Sequence, residues 1–317
     1  MTTHIDLEQI KKTFDKLSSE IGKVIVGQEE VIEQVVIAIM CDAHAILEGY
    51  PGLAKTLIVN TLAQLMDLDF SRIQNTPDLM PSDITGTYVL EEEKGKRVFK
   101  FQKGPIFTNM LLADEINRAT PKTQSALLEA MQEKQVTVGN ETFKLDRPFF
   151  VLATQNPIEQ EGTYNLPEAQ SDRFLFKIIT KYPEMDEEEE ILERFTSYKE
   201  IPQLNKVLSK NTLSTLQAYV RHIPISKDLS RRIVRIVDAT RKGKSLLEYG
   251  ASPRATIGLA MASKARAMMK GRKYVTSADI DAIAHPVLRH RIIMNFEADR
   301  KGVSVDDAIS EILMQIK

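Results

Sequence analysis

Three short stretches carry residues that could do phosphate chemistry. The first is Gly49-Tyr50-Pro51-Gly52-Leu53-Ala54-Lys55-Thr56, a glycine- and proline-rich turn after the apolar run Ala45-Ile46-Leu47. A helical pattern follows it, with Leu57, Ile58, Leu62 and Leu65. A strand, a glycine turn and a helix N-terminus together make an anion cradle, because loop N–H groups and the helix dipole face the same point. A lysine at the end of such a turn reaches β- and γ-phosphates, and a hydroxyl beside it can ligate Mg²⁺. Ala54 stands where the commonest form of this pattern has glycine, so a turn capping an ordinary βα unit is the alternative on these residues alone.

The second stretch is Met110-Leu111-Leu112-Ala113-Asp114-Glu115, an apolar run ending in two acids. In a parallel sheet, ligands bind at the carboxyl ends of the strands. Asp114 would then face the same edge as Lys55, holding a metal shell, while Glu115 takes the proton of an attacking water. The third is Phe149-Phe150-Val151-Leu152-Ala153-Thr154, ending in Gln155-Asn156-Pro157. Asn156 could hydrogen-bond that water or the γ-phosphate.

These residues need a parallel α/β sheet to bring them together, and the chain supplies one up to about residue 182. Residues 6–22 have helical spacing (Leu7, Ile10, Phe14, Leu17, Ile21), and a second helix is predicted from Glu29 to about Ala43. Between them, Val26 and Gly27 could floor an adenine pocket; a plain linker accounts for them equally well. Phe70–Gln74 and Leu175–Ile179 are further strands. Two β-hairpins are predicted outside the sheet, at about 86–101 with a charged tip and at 135–145 around Gly139-Asn140. From 183 onward no strand pattern stands out, and helices are predicted near 186–199, 211–222, 227–242, 254–270, 276–284 and 304–316, with Pro286 ending the fifth.

Composition excludes several classes. A net charge of −2 creates no field to draw nucleic acid or anionic membrane. The single cysteine, Cys41, forms no disulfide framework, which fits a reducing compartment, and its apolar surroundings suggest packing. No apolar run approaches the ~20 residues that span a bilayer, and the first residues lack a signal-peptide pattern, so a cytoplasmic protein without membrane insertion is expected. The five histidines are scattered, and His285 and His290 are expected to be structural.

Taken in order, these elements resemble the AAA+ ATPases, and within them the MoxR family, over nearly the whole chain. Gly49 to Thr56 resembles the family's Walker A, whose usual form also has alanine before the lysine; Leu112 to Ala119 resembles Walker B; Ala153 to Pro157 resembles sensor 1. Leu166 to Phe174 resembles the arginine-finger segment, and Gly250-Ala251-Ser252-Pro253-Arg254-Ala255 resembles sensor 2. Asn165 and Ser171 depart from the pattern, where proline and leucine are expected.

The resemblance implies an αβα nucleotide-binding core (1–182) followed by an all-α lid (183–317), binding ATP and Mg²⁺. Val26, Gly27, Gly49, Pro51, Gly52, Leu53, Ala54, Lys55, Thr56 and Leu57 would hold the nucleotide, with Thr56 and Asp114 on the metal. Glu115 would activate water, Asn156 position it, and Arg254 contact the γ-phosphate from the lid. Arg173 would act on a neighbouring subunit, with Arg118 a rival for that part. The implied assembly is a homo-oligomeric ring, expected as a hexamer, remodelling client proteins such as von Willebrand A-domain partners. A magnesium-chelatase-like motor subunit or a DNA-acting motor are the alternatives, and the near-neutral charge argues against DNA.

Overall fold

The computed structural model describes residues 6–93, 96–157, 163–197, 202–242 and 246–316. Two helices, α1 (Leu7–Gly22) and α2 (Glu29–Met40), precede the first strand, β1 (Ala45–Glu48), which leads through the glycine turn into α3 (Lys55–Leu65). Next come β2 (Phe70–Gln74), α4 (Pro81–Thr85) and the hairpin β3 (Gly86–Glu93) and β4 (Lys96–Lys103). The core continues with β5 (Met110–Asp114), α5 (Pro121–Glu133), the second hairpin β6 (Gln135–Val138) and β7 (Glu141–Lys144), β8 (Phe150–Gln155), α6 (Glu168–Ser171) and β9 (Phe176–Ile179). The remainder is α7 (Met185–Thr196), α8 (Lys210–Val220), α9 (Lys227–Lys242), β10 (Leu247–Tyr249), α10 (Pro253–Met269), α11 (Ser277–Leu288), β11 (Ile293–Met294), α12 (Phe296–Arg300) and α13 (Val305–Gln315).

The main sheet has five parallel strands in the order β2-β5-β8-β1-β9. Its strands are apolar throughout because both faces are covered. In β5, Met110 and Leu112 join one core while Leu111 and Ala113 join the other. β8 divides the same way, with Phe150 and Leu152 on one face and Val151 and Ala153 on the opposite one. Pairing of Gln74 with Asp114, and of Glu48 with Gln155 and Ile179, brings the strands to one carboxyl edge.

The second half lies against the face carrying α1 and α2. Leu213, Leu216, Ile236, Leu259 and Ile280 belong to the same apolar cluster as Phe14, Val35 and Leu62. Sandwiched between sheet and lid, α2 is buried on nearly every side, which accounts for its run Val35-Val36-Ile37-Ala38-Ile39-Met40. Arg266 of α10 and Lys270 just past its end grip Glu33 of α2 at 2.9 and 3.0 Å. Below them Asp279 is fully buried. Burial pushes its carboxyl up, and hydrogen bonds from Arg272, Thr276 and Arg266 outweigh that and hold it below the usual range.

Both hairpins stand outside the sheet as expected, the first reaching Lys103; Lys94 and Gly95 of its turn lie outside the described residues. Three expectations need correction. Helix α2 stops at Met40 rather than Ala43, with Asp42 at φ 52 turning the chain into β1. Helix α11 runs past Pro286 to Leu288, since proline here removes one N–H in the final turn without ending the helix. The lid is not wholly helical: Leu247 pairs with Met294 in the short ribbon β10–β11, too brief for an alternating pattern to register. Helix α7 ends at Thr196, and the predicted end at 199 lies outside the described residues.

Candidate functional site

A cleft of about 480 Å³ opens at the carboxyl edge of the sheet. Pro51 to Leu57, Asp114, Glu115 and Asn156 line it, joined by Arg72 and Gln74 of β2. Ten of the residues singled out in the sequence thus meet in one hollow.

Ala54 takes the left-handed conformation (φ 51), and no side chain caps the start of α3. The first N–H groups of that helix, with the positive end of its dipole, therefore face the cleft. Lys55 donates from Nζ to the Gly49 carbonyl, closing the turn. Partial burial lowers the Lys55 pKa, against the pull of Asp114, Glu115 and Glu48. Gly49 permits close approach: a Cβ there would sit 1.6 Å from Thr180 Oγ1 at the end of β9. Tyr50 stacks on Tyr182, ring centroids 5.2 Å apart.

Thr154 organises the acids. Its hydroxyl donates to Asp114 Oδ1 at 2.6 Å and accepts the Glu115 N–H at 2.9 Å. Arg72 Nη2 meets the other oxygen of Asp114 at 2.5 Å. Glu115 sits at φ 53, immediately past the strand, with its carboxylate 3.0 Å from Arg118 Nη1. Sequence reasoning missed Arg72, Gln74 and the role of Thr154. Strand register carried the signal: Gln74 pairs directly with Asp114, and Arg72 lies two residues back on the same strand face.

Other expected site residues lie elsewhere. Gly27 is covered by the Glu187 carboxylate, 2.5 Å from where a Cβ would be, and lines a separate cavity with Phe14, Ile25 and Ile32. Neither Val26 nor Gly27 lines the cleft. Arg173 donates to the Leu128 carbonyl at 3.3 Å, in a hollow with Gln132 and Gln170. Arg254 is half exposed and lies 3.6 Å from Asp172. Asp172 also accepts from Ser252 Oγ at 2.9 Å and Arg291 Nε at 2.7 Å. Arg254 does not line the cleft. The lid packs over α1, α2 and β9, and Asp172 ties the start of α10 to the segment after α6. Arg118 faces Glu115 of its own chain. Cys41 is packed and burial raises its thiol; His285 and His290 bond to Ser310 and to the Phe174 carbonyl.

A parallel sheet with a glycine turn entering a helix, two acids ending the next strand but one, and a polar tip beside them define a P-loop nucleotide-binding protein with a lid. Comparison with known proteins agrees. Residues 44–176 match the profile of the ATPase family associated with various cellular activities (AAA), and residues 240–312 match an AAA lid domain. Chaperone MoxR1 of Mycobacterium tuberculosis is 43% identical over 312 residues, covering 96% of this chain and 82% of its own. YeaC of Bacillus subtilis is 41% identical, covering 98% and 96%, and Protein MoxR of Methylorubrum extorquens is 28% identical, covering 88% and 87%. A crystal structure of a Cytophaga hutchinsonii protein, named as a candidate ATPase, superposes with a TM-score of 0.91 at 46% identity, covering 98% and 96%. The chain belongs to the MoxR family of AAA+ ATPases.

Proposed function

We propose that this chain hydrolyses ATP in the presence of Mg²⁺ and uses the cycle to remodel partner proteins, working as a ring of identical subunits. The donor set fits the nucleotide: an uncapped α3 start, Lys55 at the turn and the Thr56 hydroxyl line the cleft, with Asp114 and Glu115 facing them. Mg²⁺, when bound, would screen the phosphates, held by Thr56 and Asp114. Lys55 neutralises phosphate charge, Glu115 accepts the proton of the attacking water, and Asn156 orients it. Glu115 must leave Arg118 to do so.

The observation that carries the ring is the separation of two half-sites. Arg173 and Arg254 stand by Asp172 rather than at the cleft of their own chain. Arginines serving phosphoryl transfer must touch the γ-phosphate, so the cleft they serve belongs to a neighbour, and both act between subunits. Mixing settles this. Lys55→Ala should lose nucleotide binding, and Arg173→Ala should bind but not hydrolyse. An equimolar mixture should regain activity at interfaces pairing an intact cleft with an intact arginine. A mixture no more active than its parts would overturn the intersubunit reading.

The name of the Mycobacterium tuberculosis relative supports the chaperone role. Glu115→Gln, loaded with ATP and Mg²⁺, should hold its client, and a von Willebrand A-domain protein is the first client to test. Retention of DNA with no protein client would overturn remodelling.

A further inference from the structure

The cleft holds a cation that the nucleotide chemistry above does not use. Arg72 lies on β2, the edge strand next to β5, and its Nη2 bridges Asp114 Oδ2 (2.5 Å) and Gln74 Oε1 (2.7 Å). The other oxygen of Asp114 is taken by Thr154. Both oxygens of the acid expected to serve the metal are therefore engaged. The two partners are not equivalent. Thr154 belongs to the interior of the sheet and is buried, whereas the Arg72 side chain is 46% exposed on the edge. A water of a metal's hydration shell approaching Asp114 from the cleft competes with the guanidinium, because hydroxyl and cation hold opposite oxygens. Gln74 gives Arg72 a second acceptor already in place, so the side chain can release Asp114 without losing its position.

We propose that Arg72 is a positioning residue that occupies the metal side of Asp114 and sets the Mg²⁺ concentration at which nucleotide binds. The inference rests on the nucleotide-site reading. Before metal enters, Arg72 neutralises one oxygen of Asp114. When metal enters, Arg72 yields Asp114 and stays on Gln74.

The test is a Mg²⁺ titration of the full chain with a fluorescent, non-hydrolysable ATP analogue, read by anisotropy. Exposed ion pairs contribute little, so Arg72→Gln should lower the half-saturating Mg²⁺ by about two- to five-fold. Arg72→Lys keeps the charge and should return the midpoint toward wild type. In an Asp114→Asn background, Arg72→Gln should shift nothing, since the competition is gone. A purely structural pair would change the melting temperature and leave the Mg²⁺ midpoint alone, which overturns the proposal. A raised midpoint, or a shift that persists in Asp114→Asn, overturns it as well. If wild type binds no analogue at any Mg²⁺ concentration, the nucleotide-site reading fails and this inference with it; a wild type that binds, with an unmoved Arg72→Gln midpoint, sinks this inference alone.

Discussion

The cleft and the arginine cluster around Asp172 are built on opposite plans. In the cleft each acid carries its own cation, Arg72 on Asp114 and Arg118 on Glu115, with Lys55 turned onto a backbone carbonyl. Around Asp172 one carboxylate serves two guanidinium groups and a hydroxyl, and Arg173 stands beside it in the chain. The cleft is a hollow in which Lys55 is the cation left over once each acid is paired. Around Asp172 the guanidinium groups outnumber the one carboxylate they share, and Arg254 is half exposed. Under the proposed ring, a head-to-tail arrangement would let every copy present its arginines to a neighbour's cleft. Rigidity differs too. Arg291, nearly fully buried, donates to the carbonyls of Leu175 and Phe174 as well as to Asp172, so the cluster rides on the joint between core and lid. A change in lid position would move Arg254 with it.

The largest expected effect breaks the comparison at its weakest assumption. Arginine fingers contribute ~10³–10⁵ in rate. Arg173→Ala should lose that much in kcat with the nucleotide Kd unchanged. Should the Kd weaken in step with kcat, Arg173 holds the ground state or its own fold, and the two surfaces do not meet in the way argued above.

Acid should separate the regions less drastically. His44 is fully enclosed, its Nδ1 accepting the Val151 N–H and its Nε2 facing the Met131 carbonyl. Burial pushes its pKa down to about 4. His290, by the arginine cluster, is also held well below the ordinary imidazole value, first by burial and then by Arg291. In both, the folded form binds a proton less readily than the unfolded chain, so the stabilising contribution is complete above about pH 6.5 and is lost as pH falls. For His44 the loss runs from about pH 6.5 to pH 4 and amounts to about 3 kcal/mol. Denaturant midpoints at pH 7 and pH 4.5 measure it. His44→Gln should flatten the slope, and an unchanged slope would mean the ring is protonated in the folded state.

Much of the cleft was legible in the sequence because its residues are consecutive. Gly49 to Leu57 is one turn, and Asp114-Glu115 is one strand end, so local pattern and the carboxyl-edge rule place them together. Arg72 and Thr154 were not legible, since their roles depend on register between strands, with partners 42 and 40 residues apart in the chain. Arg254 was legible as a motif residue but not as to whose phosphate it reaches, because that depends on how the lid packs. Chain order fixes the lid's helices and not the face it lands on. What lies around Gly27 was not legible for a similar reason: Glu187, 160 residues away in the chain, comes to rest on it.

The smallest effect concerns the hairpins, which belong to neither region. Phe101 of β4 stacks on Phe143 of β7 with centroids 4.2 Å apart, and Phe107 and Tyr88 close around Phe101. One step further out on the same face, Leu90 pairs across the strands with Phe99, and both are exposed, 53% and 71%. The inner ring pairs join the hairpins; the outer pair holds nothing together. Phe99→Ser should therefore change unfolding free energy by less than about 0.5 kcal/mol. Phe143→Ala should cost on the order of 1 kcal/mol from the ring contacts alone. Neither should alter analogue binding in the cleft. Equal costs would mean that the hairpins do not pack as one body. A fall in analogue affinity with Phe143→Ala alone would mean that the pair of hairpins is mechanically tied to β8 and Asn156, and that the cleft reaches further into the molecule than its lining residues suggest.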